Sequence, residues 1–192
     1  MKRRLKLLIC SIVAGGSTLT AYAGPLCIFT RGQPHPTADT QASPLATQQM
    51  TEARNVMCSQ FACPPFSFFE NNSTANASAE SSRFGYTIRY NTNFMQQQID
   101  RFGPGATIAI LAHELGHIID FYQYPQGGPG INREATADRY AGCAFALAGA
   151  PEQSLQPFLQ SLLSMGPSGP GYPSPQQRAQ IARDGYYQCI RR

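Results

Sequence analysis

Ala106-Thr107-Ile108-Ala109-Ile110-Leu111-Ala112-His113-Glu114-Leu115-Gly116-His117-Ile118-Ile119-Asp120-Phe121-Tyr122 is the stretch on which the reading of this 192-residue chain turns. It is an apolar run with an HExxH motif set inside it. Residues four apart lie on one face of an α-helix, so His113 and His117 can reach a single metal ion. Zinc suits two neutral imidazoles and a third protein ligand, and a catalytic site leaves the fourth position to water. Glu114 then projects beside the ion, where a carboxylate can take a proton from that water. The bland alternative is a buried helix that happens to carry two histidines and a glutamate. Such a string arises by chance in under about one in a hundred chains of this length. The surroundings therefore decide.

Working outward, Gly103-Pro104-Gly105 breaks the chain before the run, and Tyr124-Pro125 closes it. Gly127-Gly128-Pro129-Gly130 makes a tight loop, after which a second helix is predicted over Ile131–Leu147 with Asn132 as its cap. Histidine is scarce: the only other one is His35. Three-histidine zinc proteases of the H-E-x-x-H-x-x-G-x-x-H type need glycine and histidine where this chain has Asp120 and Gln123, so that class is excluded. The third ligand must be a carboxylate, a cysteine or His35. In the second helix Glu134 and Asp138 are four apart and share a face. One can ligate while the other accepts a hydrogen bond from the free nitrogen of a ligating histidine. Ala135, Ala137, Ala141, Gly142 and Ala144 keep this helix slender enough to approach its neighbour closely. The competing picture is a solvated face on which Arg133 and Arg139 pair with the two acids.

The rest of the chain reads as mainly α with a small β element, a single domain over residues 45–192. A helix is predicted over Leu45–Phe61, spaced through Met50, Ala53, Val56 and Met57. Asn71–Ser82 reads as a polar low-complexity loop, with N-x-S/T triplets at Asn71, Asn72 and Asn76 that matter only in a glycosylating host. Phe84–Tyr90 alternates and is rich in aromatic and β-branched residues, so a strand is expected there. Its edge could accept an extended peptide by strand addition. Further helices are predicted over Asn91–Arg101 (capped by Thr92 or Asn93), Glu152–Met165 and Gln176–Cys189, with Gly166–Pro175 as a loop. Gly24–Pro44, rich in Pro, Thr, Gln and Ser, reads as a flexible arm.

The N-terminus has a basic start, Met1–Lys6, an apolar core, Leu7–Ala14, and an Ala21-Tyr22-Ala23 cleavage site. This is the layout of a secretory signal peptide over residues 1–23. Gly15, Gly16, Ser17 and Thr18 interrupt the core, which fits a membrane-spanning anchor poorly. The net charge of +4 comes from 15 basic and 11 acidic residues, and Lys2, Arg3, Arg4 and Lys6 leave with the signal. Charge then balances, and the footprint expected of a partner for nucleic acid or anionic lipid is missing. A periplasmic or secreted protein is expected, without membrane insertion after cleavage. Five cysteines remain: Cys27, Cys58, Cys63, Cys143 and Cys189. Export permits disulfides, Cys58 and Cys63 are close enough to bridge, and the odd count leaves one thiol over. No C-x-x-C pair exists to favour zinc ligation by cysteine.

HELGH followed 17 residues after His117 by E-x-x-x-D resembles the gluzincin zinc metallopeptidases. The wider string AILAHELGHIID…NREATADRYAG is similar to the soluble relatives of the CAAX-prenyl-protease metallopeptidases and to the neutral zinc metallopeptidases. Tyr172-Pro173-Ser174-Pro175-Gln176-Gln177-Arg178 resembles the H-P-S-x-x-x-R segment of the former group, and the likeness covers about residues 85–187. The resemblance implies a zincin-like domain that hydrolyses protein or peptide substrates. It implies that His113, His117 and Glu134 bind one catalytic Zn2+, that Glu114 is the general base, and that Asp138 supports His113. Tyr172 stands where the family often has histidine, so Tyr140, Tyr172 or Arg178 would have to stabilise the oxyanion. Three alternatives stay open: Asp138 as third ligand, a catalytically silent zinc protein that binds a partner, and a latent enzyme whose zinc is covered by Cys27 or His35.

Overall fold

Fifteen of the 20 residues of the helix Pro104–Gln123 are buried. A helix that is apolar on every side must be surrounded, and the other elements pack around it. The computed structural model of the chain describes residues 38–125, 133–166 and 172–190. In order these form β1 (Thr40–Gln41), α1 (Pro44–Met57), β2 (Phe66–Glu70), β3 (Ala77–Ser82), β4 (Gly85–Tyr90), α2 (Thr92–Phe102), α3 (Pro104–Gln123), α4 (Arg133–Leu147), a 3₁₀ turn (Glu152–Leu155), α5 (Gln156–Leu163) and α6 (Pro175–Cys189). The fold is mainly helical with one small sheet. The strands lie in the order β1-β2-β4-β3, with β2 parallel to β4 and the other pairs antiparallel. Ile88 is opposite Phe68 on one side and Ala79 on the other. It is fully buried, as is Ala77, so the β3–β4 side of the sheet forms one wall of the core around α3.

Helix α4 is held between α3 and α6 at backbone distance, and glycines make this possible. A Cβ on Gly142 would lie 1.7 Å from the Ala182 carbonyl oxygen, and one on Gly185 would lie 2.2 Å from that of Arg139. On the other side a Cβ at Gly116, inside HELGH, would meet the Tyr140 Cβ at 2.8 Å. Two disulfides close the framework, Cys58–Cys63 and Cys143–Cys189, the second tying α4 to the end of α6. The other cysteines, Cys10 and Cys27, lie outside the described residues, as do the expected signal peptide and His35.

Several expectations are corrected. The polar stretch Asn71–Ser82 is not one loop: Ala77–Ser82 is strand β3, with Ala77, Ser78 and Ala79 buried. Small side chains that read as low complexity are what allow a strand to lie close to α3, and pairing with β4 satisfies its backbone. Asn71 and Asn76 are buried as well, so neither is an accessible glycan acceptor. The aromatic strand β2 is an addition. The arm ends earlier than expected: Thr40 and Gln41 pair with β2, Ser43 caps α1, and Pro44 is already helical. Asp39 is pinned by Arg89, whose Nε donates to Oδ1 at 2.7 Å and Nη2 to Oδ2 at 2.8 Å. Residues 24–37 of the arm lie outside the described residues. Helix α1 stops at Met57 rather than Phe61, and β4 starts at Gly85. Helix α2 is capped by Asn91, whose side chain accepts from the Phe94 N–H, and not by Thr92 or Asn93. The Glu152–Met165 helix divides into a 3₁₀ turn and α5, with Pro157 in the first turn of α5. The expected cap Asn132 lies outside the described residues.

Candidate metal centre

Helices α3 and α4 run antiparallel, so His113 meets Asp138 while His117 meets Glu134. The pairing follows from the i, i+4 spacing on both helices and from the close approach at Gly116. His113 Nε2 and His117 Nε2 face each other at 3.2 Å. Glu134 Oε2 lies 3.5 Å from His113 Nε2, and Oε1 lies 3.4 Å from His117 Nε2. One ligand atom from each of the three residues can be chosen so that all lie within 4.8 Å of one another, and all three side chains are buried. Zinc bonds of about 2.0–2.1 Å to nitrogen and oxygen give a tetrahedron whose edges are about 3.3 Å. The Nε2–Nε2 separation of 3.2 Å is close to that length, and each Nε2 has a different Glu134 oxygen at 3.4 or 3.5 Å. This buried group can hold a metal ion.

Asp138 sits behind it. Its Oδ1 lies 2.9 Å from His113 Nδ1, the nitrogen opposite the Nε2 pair, and its side chain is wholly buried. The structure thus brings Glu134, not Asp138, to the two Nε2 atoms. Glu114 is fully buried on α3, three residues before His117 and so beside it on the helix surface. His117 stacks on Phe121 with the ring planes 20° apart, and the Arg133 guanidinium covers the Phe121 ring at 4.8 Å. Arg133 also reaches Asp120 at 3.2 Å.

The electrostatics of the metal-free cluster follow from crowding. Burial pulls the His113 imidazolium down, but the Asp138 and Glu134 carboxylates outweigh it and hold its pKa up at about 9. Burial pushes Glu134 up, yet His117 and His113 together bring it well below the usual carboxylate range. Asp120 is raised, because burial exceeds the opposing pull of Arg133 and His117. Positive charge is therefore favoured between these side chains, and a proton on His113 supplies it.

Of the three expected oxyanion donors, Arg178 is engaged elsewhere. Its Nε donates to Asp138 Oδ2 at 2.7 Å and its Nη2 to Asp138 Oδ1 at 2.8 Å. Nη2 also lies 3.1 Å from Glu134 Oε2, while Nη1 lies 3.9 Å from Met165 Sδ. Arg178 is 1 % exposed, a charged side chain buried only because it is paired. The sequence reading missed these partners, although two acids facing two histidines in a core require a counter-charge. Tyr140 packs edge-on against Phe61 and directs its Oη at Gln123 Oε1, 3.4 Å away. Tyr172 is 48 % exposed. The strand expected to receive substrate, β4, is paired on both sides by β2 and β3, so it has no edge to offer. The outer strand beside it is β3.

Compared with protein-family models, curated proteins and solved structures, the chain matches none.

Proposed function

We propose that the chain is an exported, zinc-dependent metalloendopeptidase with a zincin-like domain and a gluzincin-type centre, in which His113, His117 and Glu134 hold one Zn2+. The observation that carries this reading is the buried convergence of His113, His117 and Glu134, with one ligand atom from each within 4.8 Å of the others, beside Glu114 on the HExxH helix. Two borderline imidazoles and one carboxylate are the donor set that catalytic zinc sites use. When bound, zinc supplies Lewis acidity toward a peptide carbonyl and makes a water easier to deprotonate.

Glu114 takes the proton from the attacking water at its carboxylate and returns it to the departing amine. The new C–O bond forms first and the carbonyl π pair becomes the oxyanion; the C–N bond then breaks as the amine takes the proton, and no proton is gained or lost over the cycle. Asp138 faces His113 Nδ1 and so favours the tautomer whose Nε2 lone pair points to the ion. With Arg178 committed to the two acids, Tyr140 and Tyr172 are the remaining donors for the oxyanion. An extended substrate pairs along the outer strand β3, whose Glu80–Ser82 half is at least partly exposed. Export is supported by the signal-like N-terminus and by two disulfides. Among the described residues no helix is long and apolar enough to cross a membrane.

The test compares wild type with Glu114→Gln for zinc content and for cleavage of an unstructured polypeptide such as casein. The variant should retain its zinc and lose about 10²–10⁴-fold in activity. Equal activity in the two proteins would rule out Glu114 as the base. Stoichiometric zinc without cleavage of any substrate would instead support a silent zinc protein that binds a partner.

A further inference from the structure

Glu134 and Asp138 stand one turn apart on α4 and are 6 % and 0 % exposed. Two carboxylates that close in a low-dielectric site repel each other and lose their hydration. His113 and His117 on α3 offset part of this, and Arg178 on α6 adds a charge that reaches both acids. We infer that Arg178 is a positioning residue of the metal centre: it fixes the orientation of both carboxylates and thereby sets metal affinity, without contacting substrate. The inference rests on the zinc reading of the site given above.

The geometry is that of a fork. Nε and Nη2 hold the two oxygens of Asp138 at 2.7 and 2.8 Å, and the same Nη2 lies 3.1 Å from Glu134 Oε2. One planar group therefore ties the acid that faces His113 Nδ1 to the acid that faces both Nε2 atoms. Oε2 lies between the guanidinium and His113 Nε2, 3.1 and 3.5 Å away, while Oε1 lies 3.4 Å from His117 Nε2. A lysine at this place would supply charge but not a rigid fork able to span three oxygens.

The direction of Arg178 is fixed by its own helix. Ser174 Oγ accepts from the Gln177 N–H and Gln177 Oε1 accepts from the Ser174 N–H, a reciprocal cap that locks the first turn of α6. The contacts at Gly142 and Gly185 then hold α6 against α4. The Y-P-S-P-Q-Q-R stretch thus serves the site through its last residue.

The test measures zinc affinity by competition with a chromophoric chelator, and the visible absorption of the Co2+-loaded protein, in wild type, Arg178→Lys and Arg178→Gln. Both variants should bind zinc about 10–100-fold more weakly, the usual consequence of losing a partner that orients metal ligands. Lysine should restore only part of the loss. The Co2+ bands should weaken as Glu134, released, takes up the ion with both oxygens. Folded variants with unchanged zinc affinity and an unchanged Co2+ spectrum overturn the inference. A measurement on wild type needs neither variant to fold: the Arg178 Nε–H resonance should exchange slowly with solvent and shift on addition of zinc. An Nε–H that exchanges freely, or ignores zinc, overturns it too. Wild type that binds no zinc would sink the metallopeptidase reading as well, whereas wild type that binds zinc with an indifferent Arg178 removes this inference alone.

Discussion

Asp138 Oδ1 lies 2.9 Å from His113 Nδ1 with both side chains wholly buried, so the acid and the imidazole form a unit that solvent does not reach. Such a contact fixes ring orientation and raises ligand basicity. Asp138→Ala should therefore weaken zinc binding about 10–100-fold while leaving a site that still fills at high zinc. Glu134→Ala should empty it. Zinc titration of the two variants checks this, and full affinity in Glu134→Ala would hand the ligand role to Asp138.

Zinc uptake should release a proton. His113 is held at about 9 in the metal-free protein, so at neutral pH its imidazole is protonated, and a ligating nitrogen cannot be. The sign follows: apparent zinc affinity should rise with pH and level off near pH 9. The metal-free protein should behave oppositely. The raised pKa of His113 contributes stability that is fully present below its ordinary value of 6.5 and is lost as pH rises through about 9. Calorimetric titration in buffers of different ionisation enthalpy counts the released proton at pH 7. Buffer-independent heats would contradict the electrostatic picture of the centre.

Close approach of helices gives a third prediction. Gly142→Ala places a methyl 1.7 Å from the Ala182 carbonyl oxygen, and Gly185→Ala places one 2.2 Å from that of Arg139. Backbone cannot swing aside as a side chain can, so each change should cost at least the 1–3 kcal/mol typical of overpacking, about 3 kcal/mol or more. Chemical denaturation reads this directly. Because α6 carries Arg178, each variant should also bind zinc less well, which an effect confined to stability would not produce.

Much of this was legible in the chain. The apolar run Ala106–Tyr122 reads as a helix, and the i, i+4 pairs His113/His117 and Glu134/Asp138 read as facing each other across two packed helices, against the competing picture of a solvated face. What was illegible depends on partners distant in sequence. Strand β3 is alanine and serine, which carry no strand periodicity, and its reason to be a strand is the room it leaves for α3. Arg178 lies 40 residues beyond Asp138, and no local pattern marks a guanidinium as the counter-charge of two acids. Asn91 looked like part of a helix, whereas its side chain is the cap that starts one.

The second disulfide gives a prediction about both stability and the site. Cys143 and Cys189 are 46 residues apart in sequence, while Cys58 and Cys63 are separated by 5. In the chain-entropy account, closing the longer loop stabilises the fold by about 4 kcal/mol and the shorter by about 2 kcal/mol. Cys143→Ser with Cys189→Ser should therefore be the more damaging pair, and its unfolding midpoint should fall further. The longer bridge also holds the C-terminal end of α6 to the helix that bears Glu134 and Asp138. Its loss should weaken zinc binding, while loss of Cys58–Cys63, which lies beyond the end of α1, should leave it unchanged. Denaturation and zinc competition on the two double variants, without thiol reductants that themselves bind zinc, separate these effects. Equal zinc affinity in both would mean that packing at Gly142 and Gly185 alone seats Arg178 on its carboxylates.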